Sequence, residues 1–156
     1  MLEGWHYQNA YVCDDIEAAI ASFRARADIG DIPVIDIDQT ISTPIGPKRV
    51  ASRLAFIWIG DLQYELIQII DDETGIYANC QSNGGPLRFH HICMKVDDWG
   101  GFRARVAAQD LPVVMERAIE GDLLKFLYLD ARAFCGHYLE YVWTTPERWI
   151  QMGGRS

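Results

Sequence analysis

The sequence predicts an α+β fold of two paired βαβββ modules, and three observations carry that prediction. Short runs rich in aromatic and β-branched residues, the composition of strands, alternate with two stretches whose apolar residues recur at helical spacing. The order of these elements is written twice along the 156 residues. Each copy places an acidic pair immediately before its helix, Asp14-Asp15 and then Asp97-Asp98.

The first copy opens with a strand over Gln8–Cys13. Asp14 or Asp15 caps the following helix, where a carboxylate satisfies free N–H groups and complements the dipole. Ile16, Ala19, Ile20 and Phe23 form the helix's buried stripe, and Ile29-Gly30 closes the unit. From Pro33 to Ile41 the chain alternates, with Ile35 and Ile37 on one face and Asp36 and Asp38 on the other. That is a half-exposed strand, and the aspartates are read as its solvated face rather than a metal site. Ser42–Lys48, with Pro44, Gly46 and Pro47, is expected to be a loop. Val50–Ile59 and Leu62–Ile70 form a hairpin turning at Gly60-Asp61.

A polar stretch ending in Asn83-Gly84-Gly85-Pro86 links the copies. The second copy then runs as strand Phe89–Val96, a helix carrying Phe102, Val106 and Ala107, and strands Pro112–Ile119, Leu123–Leu129 and Tyr138–Val142. Thr145-Pro146-Glu147 starts a short C-terminal helix with Pro at its first position. The reading is a single domain over residues 1–156: module one at about 4–72, linker 73–87, module two at about 88–143, and the helix at about 145–152.

A net charge of −8 argues against nucleic acid as a partner, because phosphate binding uses a basic surface. No apolar run approaches the roughly 18–20 residues of a membrane span, and the N-terminus lacks signal-peptide character. A cytoplasmic location is expected. Cys13, Cys80, Cys93 and Cys135 include no C-x-x-C pair, which points to reduced thiols and away from a zinc knuckle.

Two carboxylates stand out. Glu65 and Glu140 each lie in a strand of aromatic and branched residues, where an unpaired buried charge costs several kcal/mol or takes up a proton. The repeat gives them equivalent places. Gln8 precedes Asp15 by seven residues and His91 precedes Asp98 by seven; Glu65 follows Gln8 by 57 and Glu140 follows His91 by 49. If the modules pair through a pseudo-twofold axis, Gln8, Glu65, His91 and Glu140 face one concavity. One imidazole, two carboxylates and an amide oxygen suit a divalent ion, leaving two positions of an octahedron for substrate oxygens. His90 should point to the opposite face of its strand, and His137 should alternate away from Glu140, while Tyr138 shares its face. His6 shares a strand face with Gln8. Lys48, Arg49, Arg53 and Arg88 are candidates for an anionic substrate tail, with solvated surface the preferred reading.

The segments Phe89–Asp98 and Gly136–Val142, with the helix start Cys13–Ile20, resemble the vicinal oxygen chelate superfamily, which includes glyoxalase I, bleomycin-resistance proteins, methylmalonyl-CoA epimerase and extradiol dioxygenases. The resemblance spans roughly residues 5–143. It implies a cupped mixed sheet around a metal site formed by Gln8, Glu65, His91 and Glu140. This ligand set is similar to that of glyoxalase I; epimerases more often carry His at the first position, and Gln8 departs from the dioxygenase set. The implied function is a divalent-metal-dependent lyase or isomerase (Ni, Co, Zn, Mn or Fe) that transfers a proton next to a carbonyl through an enediolate. Glu140 is the expected base and Glu65 the acid/base of the opposite face. The substrate is a small molecule chelating through two oxygens, and a homodimer is expected. The alternatives are a methylmalonyl-CoA epimerase-like enzyme and a non-catalytic binding or resistance protein.

Overall fold

A computed structural model describes residues 3–78, 80 and 85–155. The first copy comprises β1 (Trp5–Cys13), α1 (Ile16–Arg24), β2 (Ile35–Thr43), β3 (Gly46–Ile59) and β4 (Leu62–Asp72). The second comprises β5 (Leu87–Lys95), α2 (Trp99–Ala107), β6 (Val113–Ala118), β7 (Leu124–Asp130) and β8 (Tyr138–Thr144), followed by α4 (Pro146–Gln151). A 3-10 turn at Glu120–Asp122 and the one-turn α3 (Arg132–Cys135) interrupt the second copy and carry no signal in the sequence pattern. No helix among the described residues is long and apolar enough to cross a membrane.

The eight strands close into a barrel in the order β1-β4-β3-β2-β6-β7-β8-β5. Each copy repeats one topology, its first strand parallel to its last: β1 with β4, β5 with β8. The copies then meet along two seams, β1 with β5 and β2 with β6.

Strand alternation sorts the side chains between two environments. Outward residues meet the helices. Ile16, Ala19 and Ile20 of α1 pack on Ala55, Ile57 and Leu66, and Phe102 and Val106 of α2 pack on Leu127, Leu129, Leu139 and Tyr141. The intervening residues, such as Leu54, Phe56, Glu65, Glu140 and Val142, line the barrel's interior. Both helices start as the sequence indicates. Asp15 accepts from the N–H groups of Glu17 and Ala18, and Asp98 from that of Gly101. The first helix stops at Arg24, however, well before Ile29-Gly30.

Two expectations change. Ser42–Lys48 is not a loop: β2 and β3 run on as a hairpin turning at Pro44-Ile45. Thr43 secures it, its hydroxyl donating to the Gly46 carbonyl at 2.6 Å and accepting from the Ile45 N–H at 3.3 Å. Gly46 takes a φ of 104°, which glycine adopts freely. The linker is more than a spacer. The Asp72 carboxylate accepts from the Thr74 and Tyr77 N–H groups, folding Ile76 and Tyr77 into the barrel. Asn83-Gly84 lies outside the described residues. The Asp36/Asp38 face is solvated as expected, each aspartate paired with Arg53 or Arg49.

Candidate metal centre

Two neighbouring rows of residues across the sheet build the site. One row runs Glu65, Ala10, His91, Tyr138 over β4, β1, β5 and β8; the next runs Gln63, Gln8, Cys93, Glu140, Tyr128 and adds β7. In-register neighbours share a face, so Glu65, His91, Gln8 and Glu140 turn inward together. Ala10, fully buried between Glu65 and His91, leaves room for their side chains to converge.

The ligand atoms of Glu65, His91 and Glu140 lie within 4.8 Å of one another. His91 Nε2 is 2.9 Å from Glu140 Oε2, 3.5 Å from Glu65 Oε2 and 3.3 Å from the Tyr128 hydroxyl. Gln8 is 3% exposed. Its amide nitrogen donates to Gln63 Oε1 at 2.6 Å, while its own Oε1 is buried without a partner among the described residues. An orphaned buried acceptor is uncommon in a native fold and signals an absent partner. Burial pushes the Glu65 carboxyl upward against the pull of His91. It would likewise depress His91, but hydrogen bonds to both glutamates outweigh that and lift it to about 9. Burial, reinforced by the Glu140 charge, keeps the Tyr7 and Tyr128 hydroxyls protonated as neutral donors.

His90 does not point away. Between the pairs Ala10↔His91 and Tyr11↔Phe89, β5 holds one extra residue, a bulge that turns His90 inward beside His91. His90 is 3% exposed and stacks on Tyr77 with ring centroids 4.6 Å apart. Its Nε2 lies 3.1 Å from the Ile76 carbonyl, which only accepts, so this nitrogen carries a proton. Burial, with the His91 charge adding to it, holds His90 neutral, leaving its Nδ1 as an acceptor. The 2.7 Å contact with His91 Nδ1 is then a bond donated by His91. His91 therefore directs Nε2 at the two carboxylates. A second bulge in the same ladder turns Tyr7 inward next to Gln8.

Other candidates fall elsewhere. His6 is exposed and bonded to Asn9. His137 donates to the Tyr138 carbonyl; Tyr138 shares the inward face with Glu140 as expected, but packs against His90 and does not line the cavity. Arg49, Arg53 and Arg88 are ion-paired on the outside, and neither they nor Lys48 line the cavity. The sequence reading missed Ala10, Gln63, Tyr128 and Arg148. Ala10, Gln63 and Tyr128 carried an inward parity, shared with Gln8, Glu65 and Phe126 respectively; Arg148 carried no such signal.

The cluster opens onto a cavity of about 560 Å³ inside the barrel, walled mainly by apolar residues of β2, β3, β4 and β7. Residues 7–128 match the model of the Glyoxalase/Bleomycin resistance protein/Dioxygenase superfamily. The chain belongs to that superfamily. The match takes in Gln8, Glu65 and His91 and stops short of β8. Among solved structures, a Streptomyces coelicolor methylmalonyl-CoA epimerase variant in complex with 2-nitronate-propionyl-CoA is 16% identical, with a TM-score of 0.64, covering 93% of this chain and 97% of its own. The Mycobacterium tuberculosis methylmalonyl-CoA epimerase is 14% identical, with a TM-score of 0.63 and coverage of 96% and 97%. A hypothetical protein from Bacillus halodurans C-125 is 15% identical, with a TM-score of 0.62 and coverage of 90% and 94%. At these identities the likeness speaks to the fold. No curated protein sequence matches the chain.

Proposed function

We propose that this protein is a divalent-metal-dependent lyase or isomerase that transfers a proton next to a carbonyl, with a glyoxalase I-like ligand set. One observation carries the reading: Glu65, His91 and Glu140 converge to within 4.8 Å inside an apolar cavity. Two desolvated carboxylates around one imidazole are costly unless a cation joins them. The unpartnered Gln8 Oε1 supports the fit, as does the mixed N/O donor set, which suits Ni, Co, Zn, Mn or Fe.

Gln8, Glu65, His91 and Glu140 would hold the divalent ion, which would supply Lewis acidity to polarise a carbonyl and acidify the neighbouring C–H. The chain's own residues do the rest. His90 fixes the His91 tautomer and ring plane. Glu140 takes the proton from the carbon and returns it, and Glu65 serves the opposite face. The apolar walls keep bulk water from competing for that proton. Epimerisation of an acyl thioester uses the same proton transfer and is the alternative; Gln8 at the first ligand position favours the lyase.

The test combines metal analysis with deuterium uptake at the carbon next to the carbonyl, using hemithioacetals and acyl thioesters in D₂O. Stoichiometric metal, and exchange abolished by chelation and by Glu140→Gln, are expected. A protein without stoichiometric metal and indifferent to both treatments is a binding protein, and the enzyme reading then fails.

A further inference from the structure

The charged residues of the cavity wall are Glu65, Glu140 and Arg148. Arg148 lies on α4, whose Trp149 clusters with Tyr7, Cys93 and Val142 of the ligand strands, and its guanidinium meets only the Gln151 amide among the described residues, at 3.4 Å. Arg49, Arg53 and Arg88, by contrast, each have a carboxylate partner. The helix that carries Arg148 is anchored. The next residue, Trp149, is 5% exposed and packs edge-on against Tyr7 and Trp58. Trp58 Nε1 donates to the Met152 carbonyl at 3.0 Å, tying the end of α4 to β3. Most of the other lining residues are apolar, Leu54, Phe56, Leu124 and Phe126 among them.

We infer that the cavity takes a compact carbonyl compound with an aromatic or branched body and a single anionic group read by Arg148. The inference rests on the proposed function, which supplies the carbonyl end. A half-buried guanidinium facing an apolar space gains most from a carboxylate it can grip with two parallel N–H bonds. A cavity of about 560 Å³ matches a drug-sized ligand. A single lining cation does not match the several phosphates of CoA or the two carboxylates of glutathione.

Calorimetric titration with 4-phenylbutyrate and its neutral isostere 4-phenylbutyramide tests the assignment, on metal-loaded and metal-free protein. The carboxylate is expected to bind about tenfold tighter than the amide in both forms. Arg148→Gln should erase that preference and Arg148→Lys should retain part of it, each with metal stoichiometry and thermal midpoint as in the parent. Equal binding of the two probes, no binding of the carboxylate, or a preference that survives Arg148→Gln overturns the inference. So does tighter binding of CoA or glutathione than of the carboxylate. Loss of metal stoichiometry in the parent protein instead sinks the proposed function, so the two failures are distinct.

Discussion

The two seams that close the barrel are unequal. The β1–β5 seam runs the full length of both strands, from Trp5↔Lys95 to Cys13↔Leu87, and contains two bulges. The β2–β6 seam consists of the pairing Ser42↔Glu116, helped by a hydrogen bond from Arg117 to the Gln39 side chain. Gln8 and His91 sit on the long seam, and each strand that carries a glutamate lies directly beside it. The short seam borders the cavity's apolar side, where Gln39 and Met115 contribute to the wall. The more extensive seam carries the proposed metal centre, and such a centre would tolerate less displacement than an apolar wall.

Substitutions on or directly beside the long seam should do the most damage. Glu140→Gln is expected to lower solvent-exchange turnover about 10²–10⁴-fold, the ordinary worth of a general base. Metal at a hundred times its dissociation constant should stabilise the parent protein by about 2.7 kcal/mol in urea unfolding, and His91→Ala should remove that gain. His90→Phe breaks the bond that orients His91 and is expected to cost about 10–100-fold in metal affinity, read by competition with a chromophoric chelator. His90→Asn, which can still accept from His91 Nδ1, should recover part of it. Ala10→Leu forces bulk between Glu65 and His91 and should cost about 1–3 kcal/mol of stability. On the short seam, Arg117→Met should cost no more than about 1 kcal/mol and leave metal affinity unchanged. An Arg117→Met variant as damaging as Ala10→Leu would erase the distinction between the seams.

The contrast also explains what the sequence disclosed. Strand alternation and the doubled order of elements sufficed for the βαβββ pattern, the helix caps and the inward aim of Glu65 and Glu140, since these depend on period and spacing. His90 was misread because a bulge adds a residue without any change in composition, and the period-2 rule then assigns the wrong face. The Pro/Gly stretch at 44–47 read as a loop because proline and glycine disfavour strands, yet the hairpin tip lies beyond the β4 ladder, where no neighbouring strand asks Pro47 for an N–H. Arg148 escaped notice because its meaning is purely spatial, a cation at a cavity wall. Gln63 shared the inward parity of Glu65, but its place as an amide beside Gln8 depends on how the strands pair.

The placement of the ligand strands has a consequence for synthesis. Each copy contributes its first and last strands to the proposed centre, so Gln8 emerges from the ribosome well before Glu140. The first four strands can form their half-sheet early, but no cation meets a complete set of donors until β8 has docked beside β5. On the proposed ligand set, four-donor ion capture would be deferred until β8 has docked.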